Sequence, residues 1–443
     1  MKKIFIAIPL LFVLSCKQKI NEKSPADRLN GLAIQYVRLA LTIGLYDTDF
    51  VDAYYGPDSL RPVAPKQAVF PKDSLLKSVD RLINRFKEFA AHETNDTLRT
   101  RAEWMTQQLT AFGRRIKIFT GEYAGFDEES KELFGAVAPS HPEEFYKLLV
   151  QQLDSILPGK GAIPARFQQL ANRFIIPENK LDTVLKTTIA ECRRRTKEHY
   201  TLPVNETFEL EYVTNKPWSG YNWYKGNYKS VIQINTDIDI FIDRAIDVGS
   251  HESYPGHHVY NMLLEKNLYH DKGWVEISLY PLYSPQSLIA EGSANYGIEV
   301  VFPGEEKIYF TKEVLLPLAG LDTAGIGLYF RALSVKSALN FARNEVGRGL
   351  LNGSFTEAEA TRWLKEYCLN NDETAAKALS FIKASRSYII NYNYGMELVK
   401  KYIESKGGTA DAPVKRWELF GWLLSNEVMP ADLKRAEVKS PPG

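Results

Sequence analysis

The chain has 443 residues, 44% of them hydrophobic and 25% charged, the balance of a globular protein with ample material for a core. Its 55 Lys and Arg stand against 54 Asp and Glu, a net charge of +1, which excludes the one-sided field of a nucleic-acid binder and gives no reason to expect a strongly acidic partner. One large domain or two intimately packed ones suit this length.

The chain opens with Met1-Lys2-Lys3, then an apolar run from Ile4 to Leu14 that is too short to span a bilayer, and closes it with Val13-Leu14-Ser15-Cys16. This start resembles a bacterial lipoprotein signal, which implies removal of residues 1–15 and lipidation of Cys16. Lys17 in place of Asp favours, by the same resemblance, the outer membrane facing the periplasm. Residues 16–26 are then a polar tether, and the absence of a second long apolar run makes the mature chain anchored and not integral. Cys192 and Cys368 lie in helical patterns and are expected as buried free thiols.

Apolar residues at spacings of three and four predict helices over 27–43, ended by Gly44, then 73–90 and 97–120. A turn-rich aromatic link fills 46–57. Ser140-His141-Pro142-Glu143 reads as a capping box for a helix that stops at Pro158-Gly159. Another helix covers 178–198, with Arg193, Arg194 and Arg195 on a solvated face near its end. From about residue 201 the period changes to two: 208–213 and 229–235 alternate polar and apolar, predicting one small antiparallel sheet. Asp237 is placed to cap a helix carrying Ile238, Phe241, Ala245 and Val248, which runs into His251. Helical patterns resume over 259–268 and, after an aromatic link at 274–283, from about Ser287. They continue over 305–350, 357–369 behind Thr356-x-x-Glu359, 373–385, 392–404 and 414–425. The expected fold is mainly α, a large helical domain with a cleft and a small sheet preceding the helix that runs into His251.

Three of the seven histidines fall in His251-Glu252-Ser253-Tyr254-Pro255-Gly256-His257-His258. Imidazole and carboxylate are the usual ligands of catalytic zinc, and a Glu directly after the first His is placed to act as general base. The spacing departs from His-Glu-x-x-His: six positions put His257 roughly 120° round a straight helix from His251. Pro255 and Gly256 offer the interruption that could bring the two together, the alternative being a plain turn with surface histidines. A third ligand is needed. Glu291 is the candidate, followed by the small residues Gly292, Ser293 and Ala294 that permit close packing, although a surface glutamate fits the pattern equally. Glu299 is the fallback ligand or a partner orienting a ligating histidine.

Together with Glu291-Gly292-Ser293-Ala294, the motif resembles the HExxPGH…EGxA signature of the domain of unknown function 885 family, regarded as zinc peptidases similar to the mainly helical carboxypeptidase Taq and thermolysin-like (gluzincin) clan. Further matches are Leu39-Ala40-Leu41…Tyr54-Tyr55-Gly56-Pro57, Trp223-Tyr224-x-Gly226…Asn235-Thr236-Asp237, Tyr392-Asn393-Tyr394-Gly395 and Leu423-Leu424…Met429-Pro430, so the resemblance spans nearly the whole mature chain. It implies one peptidase-like domain over 27–443, with a helical part at 27–200, a sheet and metal core at 201–303 and a helical part at 304–443. It also implies one Zn2+ held by His251, His257 and Glu291, with Glu252 as base. The chain departs from the pattern at Tyr260, where the family has Gln, and at Arg386-Ser387-Tyr388-Ile389, where it has Pro-Gly-Gln-Ala.

The chemistry needs a neutral donor for the oxyanion; Tyr392 is the first candidate, with Tyr394 and Tyr254 behind it. His258 is expected behind the metal ligands, supporting them, or in the cleft wall. By resemblance to related zinc peptidases, in which a sheet edge next to the metal helix binds extended substrate backbone, the strand 229–235 with Trp218, Trp223 and Tyr224 is expected to form part of the cleft for a peptide substrate. The expected activity is that of a lipid-anchored zinc peptidase; the alternatives are a binding lipoprotein without turnover and a zinc hydrolase of another amide or ester.

Overall fold

The computed structural model describes residues 23–216 and 218–434; the leader and Cys16 lie outside the described residues. Helix α1 (Pro25–Gly44) begins two residues inside the expected tether, because Ser24 caps it by accepting from Asp27 N at 3.1 Å and Pro25 suits the first turn. Its apolar stripe, including Leu29, Tyr36 and Ile43, is buried against α2 (Lys72–His92) and α3 (Asp96–Phe119). Between α1 and α2 the aromatic link contains a short strand, β1 (Val51–Tyr54).

Four helices follow: α4 (Phe126–Phe134), α5 (Glu143–Ile156), α6 (Ile163–Ala171) and α7 (Glu178–His199). The Ser140 capping box does not form. The Ser140 hydroxyl donates instead to Glu345 at 2.9 Å, and Glu143 pairs with Arg362 across the fold. Nor is the arginine run of α7 merely solvated: Arg193 binds Glu206, and Arg195 bridges Glu191 to the carbonyl of Val301.

The three-stranded sheet is mixed, not antiparallel. Its order is β2 (Thr207–Val213), then β4 (Lys229–Asn235), then β3 (Gly220–Gly226), with β2 parallel and β3 antiparallel to the central β4. Val213 and Gly220 register against Asn235 and Ile234, so the short link between them crosses the end of β4. Alternation reveals a half-buried strand but not its direction, which is why the pattern alone missed this. A separate antiparallel pair joins β1 to β5 (Leu279–Pro281), so the two aromatic links meet.

Helix α8 (Ile242–Val248) has Phe241 at its N-cap position; Asp237 does not cap it but accepts from Asn215 N. After the motif come α9 (His257–Leu264) and α10 (Pro285–Val301). The expected helix over 305–350 is divided into α11 (Glu306–Phe310), α12 (Leu316–Ala319), α13 (Ile326–Leu339) and α14 (Ala342–Leu351), with a left-handed Gly320 ending α12. The chain closes with α15 (Glu357–Tyr367), α16 (Asp372–Ser385), α17 (Ile390–Ser405), α18 (Pro413–Leu424) and α19 (Pro430–Lys434).

Buried apolar residues from Leu29 in α1 to Leu433 in α19 form one cluster. Cys192 and Cys368 are buried and free. Among the described residues no helix is long and apolar enough to cross a membrane.

Candidate metal centre

The motif lies where α8 stops being an α-helix. Residues 249–253 continue it as a wider π turn, Tyr254–Gly256 leave the helix through a cis Tyr254–Pro255 peptide, and α9 restarts at His257. Such wide turns occur at functional sites because they re-aim a side chain. Gly256 makes the return possible. Its N–H donates to Ser250 O at 3.0 Å, and a β-carbon on it would stand 1.9 Å from the carbonyl oxygen of His251. The interruption sets His251 Nε2 3.1 Å from His257 Nε2.

Glu291 arrives from α10, which crosses α17 almost backbone to backbone. A β-carbon at Gly292 would stand 2.4 Å from the carbonyl of Gly395, so the glycines of the Glu-Gly-Ser-Ala and Tyr-x-x-Gly stretches are the two sides of one contact. The crossing places Glu291 Oε2 3.4 Å from His251 Nε2 and 3.7 Å from His257 Nε2.

A triangle with sides of 3.1, 3.4 and 3.7 Å has a circumscribed circle of radius about 2.0 Å, the length of zinc bonds to imidazole nitrogen and carboxylate oxygen. Three atoms so placed can share one such ion. Glu291 Oε2 is buried without a hydrogen-bond donor, while Tyr388 OH donates to its other oxygen at 3.1 Å. His251 Nδ1 meets Asn295 Oδ1 at 3.0 Å, and Asn295 Nδ2 donates to Tyr392 O at 2.9 Å, which fixes the amide. The imidazole proton of His251 is thereby assigned to Nδ1 and its Nε2 lone pair faces the triangle. Two imidazoles and one Glu are the donor set of a thermolysin-type zinc, and these residues fit it.

The charges agree. Burial opposes a positive His251, yet Glu252 and Glu291 outweigh it and raise its pKa. Burial likewise opposes the Glu291 carboxylate, but His257 and His251 hold it far below the usual range. The pocket favours positive charge at the place where the three ligand atoms meet. Asn295→Ala is expected to weaken zinc binding roughly 10–100-fold, read by competition with a chromogenic chelator.

Comparison with protein-family models finds no match, and comparison with curated proteins finds none. Among solved structures, the chain is similar to a protein assigned as a lipoprotein from Colwellia psychrerythraea, at 16% identity and a TM-score of 0.51, over 82% of this chain and 69% of that one. It is also similar to a protein of unknown function, assigned as a lipoprotein, from Shewanella oneidensis: 11% identity, TM-score 0.48, over 82% and 73% of the two chains. An M32 carboxypeptidase from Deinococcus radiodurans R1 aligns over 94% and 95% with 12% identity and a TM-score of 0.44. The likeness to the Colwellia protein concerns fold alone. What the site can do rests on its own residues.

Glu252 is buried beside the ligands: its backbone carbonyl accepts from Asn222 Nδ2 at 2.6 Å, and a β-carbon on Gly220 would stand 3.3 Å from its Oε1. Tyr392 is within electrostatic reach of Glu291 and Glu252; burial first, then these carboxylates, push its phenol well above the ordinary value, so it stays a neutral donor.

Other predicted residues are elsewhere. Glu299 pairs with Lys400 at 2.8 Å, and Asn295, one turn after Glu291, takes the orienting position at His251. Tyr394 carries Lys434 over its ring, and Tyr254 is fully buried and donates its hydroxyl to Glu206. Tyr224 turns inward to Glu265. Trp223 does line the outer face of β3, in a row with Tyr221 and Trp218 at ring separations of 4.6 and 5.6 Å. The strand 229–235 is the central β4 with both edges paired; the edge strand next to Glu252 is β3.

His258 supports the motif from behind, its ring nitrogens 2.8 Å from Ser230 Oγ and 3.2 Å from Glu206 Oε2. Glu206 also accepts from Tyr254 and Arg193. Burial would raise its pKa, but these hydrogen bonds hold it at about 2 against an ordinary 4.5. A carboxylate with a depressed folded-state pKa contributes stability that is complete above the unfolded value and lost as pH falls through the folded one. The melting temperature of the metal-free protein should therefore fall more steeply between about pH 5 and 3 than that of Glu206→Gln.

Proposed function

We propose that this chain is a zinc-dependent metallohydrolase, most simply a peptidase, held at the cell envelope, on the outer membrane facing the periplasm, by a lipid on Cys16. The observation that carries the reading is the triangle of His251, His257 and Glu291 with Glu252 beside it. A zinc ion held there supplies Lewis acidity, lowering the pKa of a water at its open position to about 7 and polarising a carbonyl.

The chain's own residues supply the rest. Glu252 accepts the water's proton and returns it to the leaving amine. Tyr392, kept neutral, donates to the developing oxyanion. The edge of β3 receives extended substrate backbone, because an edge strand offers unpaired N–H and C=O groups next to Glu252. Asn295 and Tyr388 hold two of the ligands in place. Support for the anchor comes from the lipoprotein assignment of the Colwellia protein and from the signal-like start of the chain.

The test is digestion of a peptide library by the zinc-loaded protein with mass-spectrometric readout. Cleavage that a chelator abolishes and zinc restores is expected. A zinc-loaded protein that cleaves no peptide would overturn the peptidase reading.

A further inference from the structure

Three strands converge beside the metal centre and bring one unused carboxylate with them. Asp52 of β1 accepts a hydrogen bond from Tyr221 OH of β3, and Tyr280 of β5 lies within electrostatic reach of both Asp52 and Glu291. Asp52 sits at the irregularity of β1 between Val51 and Ala53, which register against Pro281 and Tyr280 of β5, and its partner Tyr221 follows Gly220, where a β-carbon would stand 3.3 Å from Glu252 Oε1; it thus shares the cleft of Glu252, feels His257 and Glu291, and keeps partial exposure there. Among the described residues no Lys or Arg pairs with it. Burial disfavours its charge and, with the smaller push of Glu291 and Glu252, outweighs the Tyr221 hydrogen bond and His257, so its pKa is raised to about 6.

We propose that Asp52, oriented by Tyr221 and flanked by Tyr280, is the subsite for an ammonium group of the substrate, which selects peptides with a positive charge close to the scissile bond. The inference rests on the peptidase reading and specifies its substrate class.

The argument is one of charge balance. With a divalent cation in the triangle, Glu291, Glu252 and Asp52 together leave one negative charge over, in a site mostly closed to water where such an excess is costly. An ammonium group cancels it. The Asp52 carboxylate suits that group, since Tyr221 engages one of its oxygens and the remaining lone pairs can accept the ammonium N–H bonds. A substrate carboxylate would be repelled by the same three acids. Arg244, the cation that Glu252 feels, is already paired with Asp247 and donates to Ser219 Oγ at 2.9 Å.

The test uses the zinc-loaded full chain carrying Glu252→Gln, so that peptides bind without turnover. It is titrated calorimetrically with tri-alanine, N-acetyl-tri-alanine and N-acetyl-Ala-Lys-Ala. At least one peptide bearing an amine is expected to bind roughly ten-fold or more tightly than N-acetyl-tri-alanine. Preference for tri-alanine assigns the subsite to the α-amine, and preference for the lysine peptide assigns it to a basic side chain. Asp52→Asn in the same background should erase the preference with zinc content unchanged. Equal affinities, a preference that survives Asp52→Asn, or no binding of any peptide overturns the inference. Wild-type hydrolysis is read separately: selective binding without cleavage would sink the peptidase reading and leave the ammonium subsite standing.

Discussion

Glu252→Gln is expected to lower peptide turnover by roughly 10²–10⁴-fold, the usual contribution of a positioned general base, with zinc content unchanged. Gln keeps the shape of the side chain but cannot take a proton at neutral pH. It leaves the backbone carbonyl of residue 252 free to accept from Asn222, so the motif turn has no reason to move. Single-turnover rates and metal analysis on the same preparation check both halves. If the Glu252→Gln variant turned over substrate at the wild-type rate with zinc bound, another group would be the base.

Gly256→Ala is expected to cost about 4 kcal/mol or more, or to prevent folding, because its β-carbon would meet the carbonyl oxygens of His251 and Ser250 at 1.9 and 2.4 Å. These are backbone atoms of the π turn and cannot rotate away. Relief requires moving α9, and His257 with it, so any variant that folds should also bind zinc poorly. Gly31→Ala is the control: no atom stands within 4 Å of the added carbon in α1, and a gain of roughly 0.5–1 kcal/mol follows from helix propensity. Thermal unfolding of the two variants side by side measures the contrast.

The long helices were legible because a 3.6-residue stripe is a local property. α1, α2, α3, α7 and α15 to α18 begin and end within a few residues of the expected limits. The interruption at Pro255–Gly256 was legible too, since proline and glycine act on their own backbone. What escaped depends on partners distant in the chain. β1 and β5 are four and three residues long and separated by more than two hundred, so neither reads as a strand alone. Asp52 and Glu206 carry no local signal; the first matters because β3 and β5 meet it, the second because Arg193, Tyr254 and His258 do. Two site residues had a signal that was open to use. Asn295 follows Glu291 by four positions, one turn on the same face, and is a better match to that spacing than Glu299. Tyr388 stands inside the very segment where the chain departs from the family pattern, and its hydroxyl touches Glu291.

Zinc content, with X-ray absorption at the zinc edge, tests the central claim most directly. One equivalent of zinc per chain in the purified protein is expected, bound by two imidazoles and one carboxylate at roughly 2.0–2.2 Å and lost on His257→Ala or Glu291→Ala. Less than about half an equivalent after careful preparation, or zinc retained in full by both variants, would contradict the metal centre described here.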